Sequence, residues 1–244
     1  WQRENYDELA GALAAGHIIE CGCQATGGNY SFFKEVPSFD NVGYPIAEIE
    51  NDGSFTITKH PGTGGLVSVG TVTAQLLYEI SSPSYINPDV VSHFDALNIK
   101  QISKDRVYVS GCKGSSPPNK HKVCINLAGG YRNGIDLILT GMDIKEKSEA
   151  FLDALFNSVG GREQFDEVSV NLHRTDKENP NSNEEAMATL SLSVKSKDPE
   201  LVGRLFSAKI IELSLANYPG FFSAGGGKKP GPVIVYWPAL VGSE

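Results

Sequence analysis

Residues 54–80 constrain the fold most, because they join a strand, a glycine-rich loop and a helix in one continuous segment. Residues 54–58 alternate polar and apolar side chains, which predicts a strand with one buried face. Residues 66–80 carry apolar side chains at helical spacing, and residues 59–65 between them contain three glycines. Glycines let a backbone approach a phosphate or carboxylate closely, and the first N–H groups of a helix have no partner within it. The segment therefore predicts an anion-binding site.

The residues of this loop supply the groups that such a site needs. Lys59 carries a positive charge for a carboxylate or phosphate, and His60 can transfer protons near neutral pH. Thr63, Gly64 and Gly65 add a hydroxyl group and backbone donors. The loop is not a Walker A loop, because it ends in Gly-Gly-Leu, and its glycine spacing is not that of a dinucleotide fingerprint. A tight strand-to-helix connection that needs glycine only for its backbone angles remains the alternative.

A second Thr-Gly-Gly sequence, formed by Thr26, Gly27 and Gly28, repeats the end of that loop. The second glycine turn has no other evident role in the sequence, and a role in binding the same ligand would explain it. We therefore expect Thr26, Gly27 and Gly28 to lie at the same anion site.

Residues 17–23 are predicted to form a short buried strand, which leads into the second Thr-Gly-Gly sequence. On a strand, His17 and Glu20 would point to opposite faces, whereas Cys21 and Cys23 would share one face. A carboxyl group buried near the glycine loops would have a raised pKa, so Glu20 is a candidate acid or base. A glutamate satisfied by backbone donors is the alternative.

The composition argues against several classes of partner. The chain has 244 residues, a formal net charge of -8 and no basic run, which argues against nucleic acid. No apolar run approaches the roughly 18 residues that span a bilayer, so no membrane segment is expected. The cysteines are too sparse for a secreted disulfide scaffold. We therefore expect a cytoplasmic protein in which the cysteines are buried structural thiols without a metal; they are Cys21, Cys23, Cys112 and Cys124.

Residues 105–244 follow a different pattern from residues 1–104. Two strand–strand–helix units succeed each other, with helices predicted near residues 144–159 and 199–216. Each helix has an apolar stripe that must pack on a sheet face, and antiparallel strands would place both helices on one face. The predicted fold is α+β: a glycine-loop strand/helix layer, then an antiparallel sheet with helices packed on one face. The basic glycine stretch at residues 225–230 is expected to be a surface loop, with closure over a coenzyme A phosphate as the alternative.

Five motifs resemble the acyclic terpene utilisation (AtuA-like) family, and they occur in that family's order. They are Gly-His-Ile-Ile-Glu-Cys-Gly at residues 16–22, Gln-Ala-Thr-Gly-Gly-Asn at residues 24–29, Gly-Tyr-Pro-Ile-Ala-Glu at residues 43–48, Thr-Lys-His-Pro-Gly-Thr-Gly-Gly at residues 58–65 and Gln-Leu-Leu-Tyr-Glu-Ile at residues 75–80. Cys23 stands where the family pattern would have a small residue such as alanine. The resemblance implies a link to the breakdown of branched terpenoid acids.

For this chain the resemblance implies a small anionic acyl substrate, free or as a thioester, with coenzyme A as part of the substrate. Hydration, dehydration or another lyase step would suit a site formed by Lys59, His60 and Glu20. The alternative is a non-catalytic subunit that binds acyl groups or anions. Convergence of the three side chains in one cleft would favour the enzyme. Family members carry an α/β portion before the segment that matches Trp1, so we expect a homo-oligomer or a partnership with such an N-terminal half.

Overall fold

The structure is a computed structural model that describes residues 1–225 and 228–243. The chain divides into two compact units, Trp1–Lys122 with Leu240–Glu244, and Val123–Ala239. Helices and antiparallel sheets make up the described residues, which confirms the predicted α+β class. In the two described ranges, no helix has the length and apolar character needed to cross a membrane.

The first unit is built on a four-stranded antiparallel sheet and a smaller three-stranded sheet. In chain order its helices and strands are α1 (Tyr6–Glu20), β1 (Pro45–Ile49), β2 (Phe55–Lys59), α2 (Val69–Leu76), β3 (Ser84–Ile86), β4 (Val91–His93), β5 (Asn98–Ser103), β6 (Arg106–Ser110) and β7 (Gly114–Ser115). The larger sheet has the order β1-β2-β6-β5, and the smaller has the order β3-β4-β7. Phe55 and Ile57 of the central strand β2 are fully buried, together with Ile18 of α1.

The predicted strand at residues 17–23 is wrong, because α1 continues through Glu20. Ile18 is fully buried in the core beside two alanines of the same helix, so it extends the apolar stripe of α1. A short apolar run fits a strand or a buried helix equally well by periodicity alone. Gly22–Gln24 then form a single turn of 3₁₀ helix. Cys21 and Cys23 therefore do not lie on a strand.

A β-hairpin precedes the glycine loop, and the helix after the loop is shorter than the predicted residues 66–80. β1 and β2 pair antiparallel from Pro45 opposite Lys59 to Ile49 opposite Phe55. α2 begins only at Val69, where Ser68 and Thr71 cap it through reciprocal side-chain bonds to backbone N–H groups of 3.2 and 3.0 Å. The glycine loop is therefore separated from the helix N-terminus by a capped connection.

The second unit is organised around a long strand that begins in the first. Its helices and strands are β8 (Lys120–Thr140), α3 (Ile144–Ser158), β9 (Glu167–Arg174), β10 (Met187–Ser196), α4 (Phe206–Leu215), β11 (Phe221–Ser223) and β12 (Gly231–Gly242). The sheet has the order β11-β8-β10-β9, and β12 also pairs with β8. Gly226 and Gly227 of the predicted basic glycine loop lie outside the described residues.

Both helices pack on one face of this antiparallel sheet, as the sequence predicted. In β10 every second residue is buried, and Leu190 of β10 lies opposite Leu137 of β8. Phe151 of α3 and Phe206 of α4 belong to the same core as these leucines. Because strand side chains alternate between faces, a single sheet face meets both helices.

The division between the units lies at residues 122–123, whereas the sequence placed it at residues 104–105. β5 and β6 form a hairpin across residues 104–105, and β6 also pairs with β2. The strand at residues 106–110 therefore completes the sheet of the first unit.

Candidate functional site

The glycine loop uses its backbone donors within the fold. Four consecutive N–H groups each donate to a backbone carbonyl. These bonds run from Thr63 to His60 at 3.5 Å, from Gly64 to Asn41 at 3.1 Å, from Gly65 to Ser38 at 2.8 Å and from Leu66 to Thr26 at 2.8 Å. The expectation that these N–H groups point at a bound anion is therefore wrong.

The glycines of the loop are needed for close contacts between backbones. A Cβ atom on Gly64 would lie 2.2 Å from the carbonyl oxygen of Asp40, and one on Gly65 would lie 2.4 Å from that of Thr26. Gly65 also has a φ angle of +81°, in the region that favours glycine. These contacts support the alternative interpretation, in which the loop is a tight strand-to-helix connection that needs glycine for its backbone angles.

Lys59 is the structural cation of this loop. Its side chain is 7% exposed, and its Nζ lies 3.6 Å from Oδ2 of Asp105. The same Nζ donates to the carbonyl oxygen of Thr63 at 2.9 Å. Asp105 also accepts the N–H of Val67 at 2.9 Å, which ties β2, the loop and the approach to α2 together. The charge of Lys59 is thus neutralised by a protein carboxylate.

The loop borders an open groove of about 680 Å³, which we call the glycine-loop groove. Lys59, His60 and Thr63 line it, together with Lys104 and Arg106. His60 and Lys104 are exposed. Arg106 forms an ion pair with Glu48, and the hydrogen bond from this guanidinium lowers the pKa of the Glu48 carboxyl group. Two of the cations in the groove therefore already have carboxylate partners.

The second Thr-Gly-Gly sequence contacts the glycine loop but does not line the groove. Thr26 is fully buried, and its hydroxyl lies 3.0 Å from the carbonyl oxygen of Cys23. A Cβ atom on Gly27 would lie 3.3 Å from the nitrogen of Leu66, and one on Gly28 would lie 2.8 Å from the same Cys23 oxygen. The two sequences meet through backbone packing, but Thr26, Gly27 and Gly28 do not line the groove at which the shared anion site was expected.

Glu20 lies apart from the groove and is half exposed. Its Oε1 is 2.9 Å from Nδ1 of His17, one turn earlier on α1. The predicted opposite orientation of these two side chains is wrong, because residues three apart share a helix face. The ring of buried His17 packs against Tyr85 at 4.8 Å and Phe94 at 5.5 Å between centroids. Glu20 does not line the cavity of Lys59 and His60, so the three candidate catalytic residues do not share it.

A second cavity of about 640 Å³ lies in the first unit, and we call it the β3–β8 cavity. Its wall combines a basic segment with apolar side chains. The basic segment is Lys120, His121 and Lys122 at the start of β8; the apolar residues are Ile80, Tyr85, Ile86, Pro88, Pro118 and Leu240. Ile86 and Leu240 are each 65% exposed, so they present apolar surface at this cavity.

The polar groups of the β3–β8 cavity leave a positive excess. Lys120 is exposed and forms no ion pair within residues 1–225 and 228–243. Glu79 is the one acidic residue among those that the structure assigns to the wall. The ring of Tyr85 is held against Phe94 at 5.1 Å, which fixes one apolar side of the cavity. An apolar wall with a cationic end suits a ligand with a hydrocarbon body and an anionic head.

Sequence reasoning missed this cavity although a signal was present. Lys120, His121 and Lys122 are three consecutive basic residues in an acidic chain, and Asn119 separates them from Pro117 and Pro118. The apolar residues of the wall come from three distant parts of the chain, residues 80–88, Pro118 and Leu240, and only the fold brings them together.

All four cysteines are free thiols, but they differ in exposure. Cys112 is buried, and burial raises the pKa of its thiol. Cys124 is exposed, so the expectation of a buried thiol is wrong there, since the side of β8 that carries it is uncovered. Within the described ranges, no three His, Cys, Asp or Glu residues are grouped closely enough to hold a metal ion.

Comparison with known proteins gives one match. The family model described as acyclic terpene utilisation family protein AtuA matches residues 1–244. No curated protein and no solved structure is detectably similar to the chain.

Proposed function

Since this chain belongs to the acyclic terpene utilisation family, we propose that it binds a branched acyl anion during the breakdown of terpenoid acids. The observation that carries the proposal is the β3–β8 cavity, where Lys120 stands beside an apolar wall. Its volume of about 640 Å³ falls within the range of small-molecule sites. Membership of the family links the chain to terpene utilisation, and the acyl ligand is our inference from the chemistry of the wall.

Both parts of such a ligand find a counterpart in this cavity. A carboxylate would form charge-assisted hydrogen bonds with lysine, which are stronger than neutral ones. A hydrocarbon chain would cover Ile86 and Leu240, and each buried methylene group contributes about 0.8 kcal/mol. The glycine-loop groove is a weaker candidate, because Asp105 and Glu48 already neutralise two of its cations.

For the three candidate catalytic residues, Glu20, Lys59 and His60, we favour a role without catalysis. Glu20 does not line the groove of Lys59 and His60, and Lys59 forms an ion pair with Asp105. A hydration, dehydration or other lyase step remains the second candidate function. It is favoured by one observation: His121 and Glu79, a basic and an acidic side chain, line the same cavity.

A cytoplasmic location belongs to the same proposal, and the free thiols support it.

The experiment that tests the proposal is calorimetric titration of the whole chain with four ligands. They are citronellic acid, its coenzyme A thioester, citronellol and coenzyme A alone. Citronellol has the hydrocarbon of the acid without its charge, and coenzyme A has the phosphates without the acyl chain. We expect the acid or its thioester to bind at least tenfold more tightly than either control, because both the head and the hydrocarbon contribute. No binding of either acyl ligand, or equal binding of citronellol, would overturn the proposal.

A further inference from the structure

One face of the smaller sheet, β3-β4-β7, packs against α1. Ser92 of β4 is fully buried, and its hydroxyl donates to the carbonyl oxygen of Ala10 at 3.3 Å. Gly114 of β7 lies opposite Ser92, and a Cβ atom on it would be 1.9 Å from the carbonyl oxygen of Tyr6. Side chains alternate along a strand, so the residues on either side of Ser92 point away from α1.

Three polar side chains meet on the face that points away from α1. His93 follows Ser92 on β4, and Ser84 of β3 lies directly opposite His93. Ser115 of β7 lies opposite Val91, which is two residues before His93 and therefore on the same face. Nδ1 of His93 is 3.4 Å from Oγ of Ser84, and Nε2 is 3.1 Å from Oγ of Ser115. One imidazole ring thus bridges two serine hydroxyl groups.

Backbone hydrogen bonds hold His93 between the strands that carry the two serines. Its N–H donates to the carbonyl oxygen of Lys113, just before β7, at 2.9 Å. The N–H of Phe94 donates to the carbonyl oxygen of Pro83, just before β3, at 2.9 Å. The histidine is half-buried, whereas both serines are exposed. Paired strands therefore fix the three groups, and a molecule from solvent can reach both hydroxyls.

The two serines differ in their relation to the β3–β8 cavity. Ser84 belongs to the wall of this cavity, and Ser115 does not. Ile86, which also lines the cavity, is two residues from Ser84 on the same face of β3, about 7 Å along the strand. A ligand whose hydrocarbon covers Ile86 would therefore bring its acyl carbonyl within reach of Ser84.

We infer that Ser84 is a nucleophile and His93 its base, and that together they hydrolyse an acyl thioester bound in the β3–β8 cavity. The inference rests on the acyl ligand proposed above. A base on one side of a serine, itself oriented by a third group, is the arrangement that activates serine in acyl transfer. Nδ1 of His93 would accept the proton of Ser84, while its Nε2–H donates to Oγ of Ser115. The contact of 3.4 Å is long for this role, and such contacts tighten when substrate binds.

The reaction transfers the acyl group first to Ser84 and then to water. Oγ of Ser84 attacks the thioester carbonyl carbon, and its proton passes to Nδ1 of His93. The C–S bond then breaks, and His93 gives the proton to the departing sulfur. Water attacks the acyl-serine, and His93 carries a proton from this water to Oγ of Ser84 as the ester bond breaks. One thioester and one water give one carboxylic acid and one thiol, without an oxidant or reductant.

Hydrolysis of the coenzyme A thioester of citronellic acid tests the inference. Chromatography of the released acid measures the rate, because the free thiols of the chain would react with a thiol dye. We expect a rate at least a hundredfold above spontaneous hydrolysis. Ser84→Ala and His93→Gln should each return the rate to the spontaneous level. Ser116→Ala is the matched control, since this exposed serine lies outside the cavity wall, and it should keep the full rate.

Ser115 is a positioning residue, because it orients the ring of His93 and does not line the cavity. Ser115→Ala should lower kcat roughly tenfold and leave KM within about twofold, as expected when the base loses its orientation but the substrate keeps its contacts. A change in KM alone would contradict this role. Circular dichroism establishes that each variant is folded.

A covalent label locates the nucleophile even where turnover is slow. A fluorophosphonate reacts with a serine that a neighbouring base activates. Trypsin leaves Ser84 in the peptide of residues 60–100 and Ser115 in that of residues 114–120, so mass spectrometry separates them. We expect the label in the first peptide, and we expect Ser84→Ala to remove it. A label in the second peptide would overturn the assignment of Ser84.

Calorimetry separates failure of this inference from failure of the proposed function. Ser84→Ala should bind the thioester without consuming it. If the unsubstituted chain binds the thioester but neither hydrolyses it nor takes the label, the inference is overturned and acyl binding stands. Hydrolysis that survives Ser84→Ala would also overturn it, because another group would then be the nucleophile. A chain that does not bind the thioester would overturn both.

Discussion

Nζ of Lys59 lies 3.6 Å from Oδ2 of Asp105, and this pair joins the end of β2 to the turn before β6. The lysine side chain is 7% exposed and the aspartate side chain 20% exposed. A lysine in a glycine loop is therefore a structural residue here. Lys59 can therefore be tested for two separate roles, one in the stability of the fold and one in ligand binding, and each role has its own measurement.

Lys59→Met should lower the free energy of unfolding by about 1–3 kcal/mol, because the Thr63 carbonyl loses its donor and Asp105 loses its counter-charge. Urea denaturation measures the change. Lys104→Met is the control, since this exposed lysine lines the same groove, and its effect should stay within about 0.5 kcal/mol. An unchanged stability for Lys59→Met combined with weaker acyl binding would restore Lys59 as a ligand residue.

Lys120→Gln should raise the dissociation constant of the bound acyl anion by about tenfold, because it removes a charge-assisted hydrogen bond from the β3–β8 cavity. Calorimetric titration of the variant measures this constant. Lys104→Gln removes one charge from the glycine-loop groove and should leave the constant unchanged. The reverse pattern would move the ligand to the groove. If both variants bind the acyl anion as tightly as the unsubstituted chain, neither lysine belongs to the site, although the chain still binds the anion.

Two glycines of α1 should respond to alanine in opposite directions. A Cβ atom on Gly11 would lie 1.9 Å from the carbonyl oxygen of Gly53, so Gly11→Ala must push α1 away from the β1–β2 turn. We expect a loss of about 2 kcal/mol or more in the free energy of unfolding. Gly16 has no atom within 4 Å of such a Cβ position, so Gly16→Ala should stabilise the helix by about 0.5–1 kcal/mol. Denaturation curves that move both variants in one direction would contradict the packing of α1.

Asp7 should contribute a pH-dependent part of the stability. Its carboxylate accepts Nζ of Lys113 at 2.6 Å and the N–H of Gly114 at 2.9 Å, and the bond from Lys113 is the main cause of a lowered pKa. A folded-state pKa below the unfolded value near 3.9 means that the contribution is complete above that pH. It is lost as the pH falls through the folded-state pKa.

The test compares Asp7→Asn with the unsubstituted chain in urea denaturation from neutral pH to about pH 3. The difference in unfolding free energy should be constant above about pH 5 and should shrink below about pH 4. Glu4→Gln serves as the control, because Glu4 is exposed and its side chain forms no bond within the described residues. A difference that grows on acidification would refute the assignment.

Local sequence signals predicted much of the second unit. The alternation in β10 and the stripes of α3 and α4 each require a partner surface, so their one-sided packing followed from periodicity. The same reasoning failed at residues 17–20, where a short apolar run continued a helix. It also placed β6 in the wrong half of the chain, because sheet pairing joins β6 to β2 across about 50 residues.

The sequence by itself determined the family and the α+β class, because these depend on residue types and local spacing. Only the tertiary structure decided which polar groups remain available to a ligand. The sequence predicted that Lys59 binds a ligand, but in the fold Asp105, which is 46 positions later in the chain, lies within ion-pair distance of it. Lys120 gained a candidate role because Ile86 and Leu240 complete its apolar wall. Availability depends on contacts between distant segments, and no local pattern encodes them.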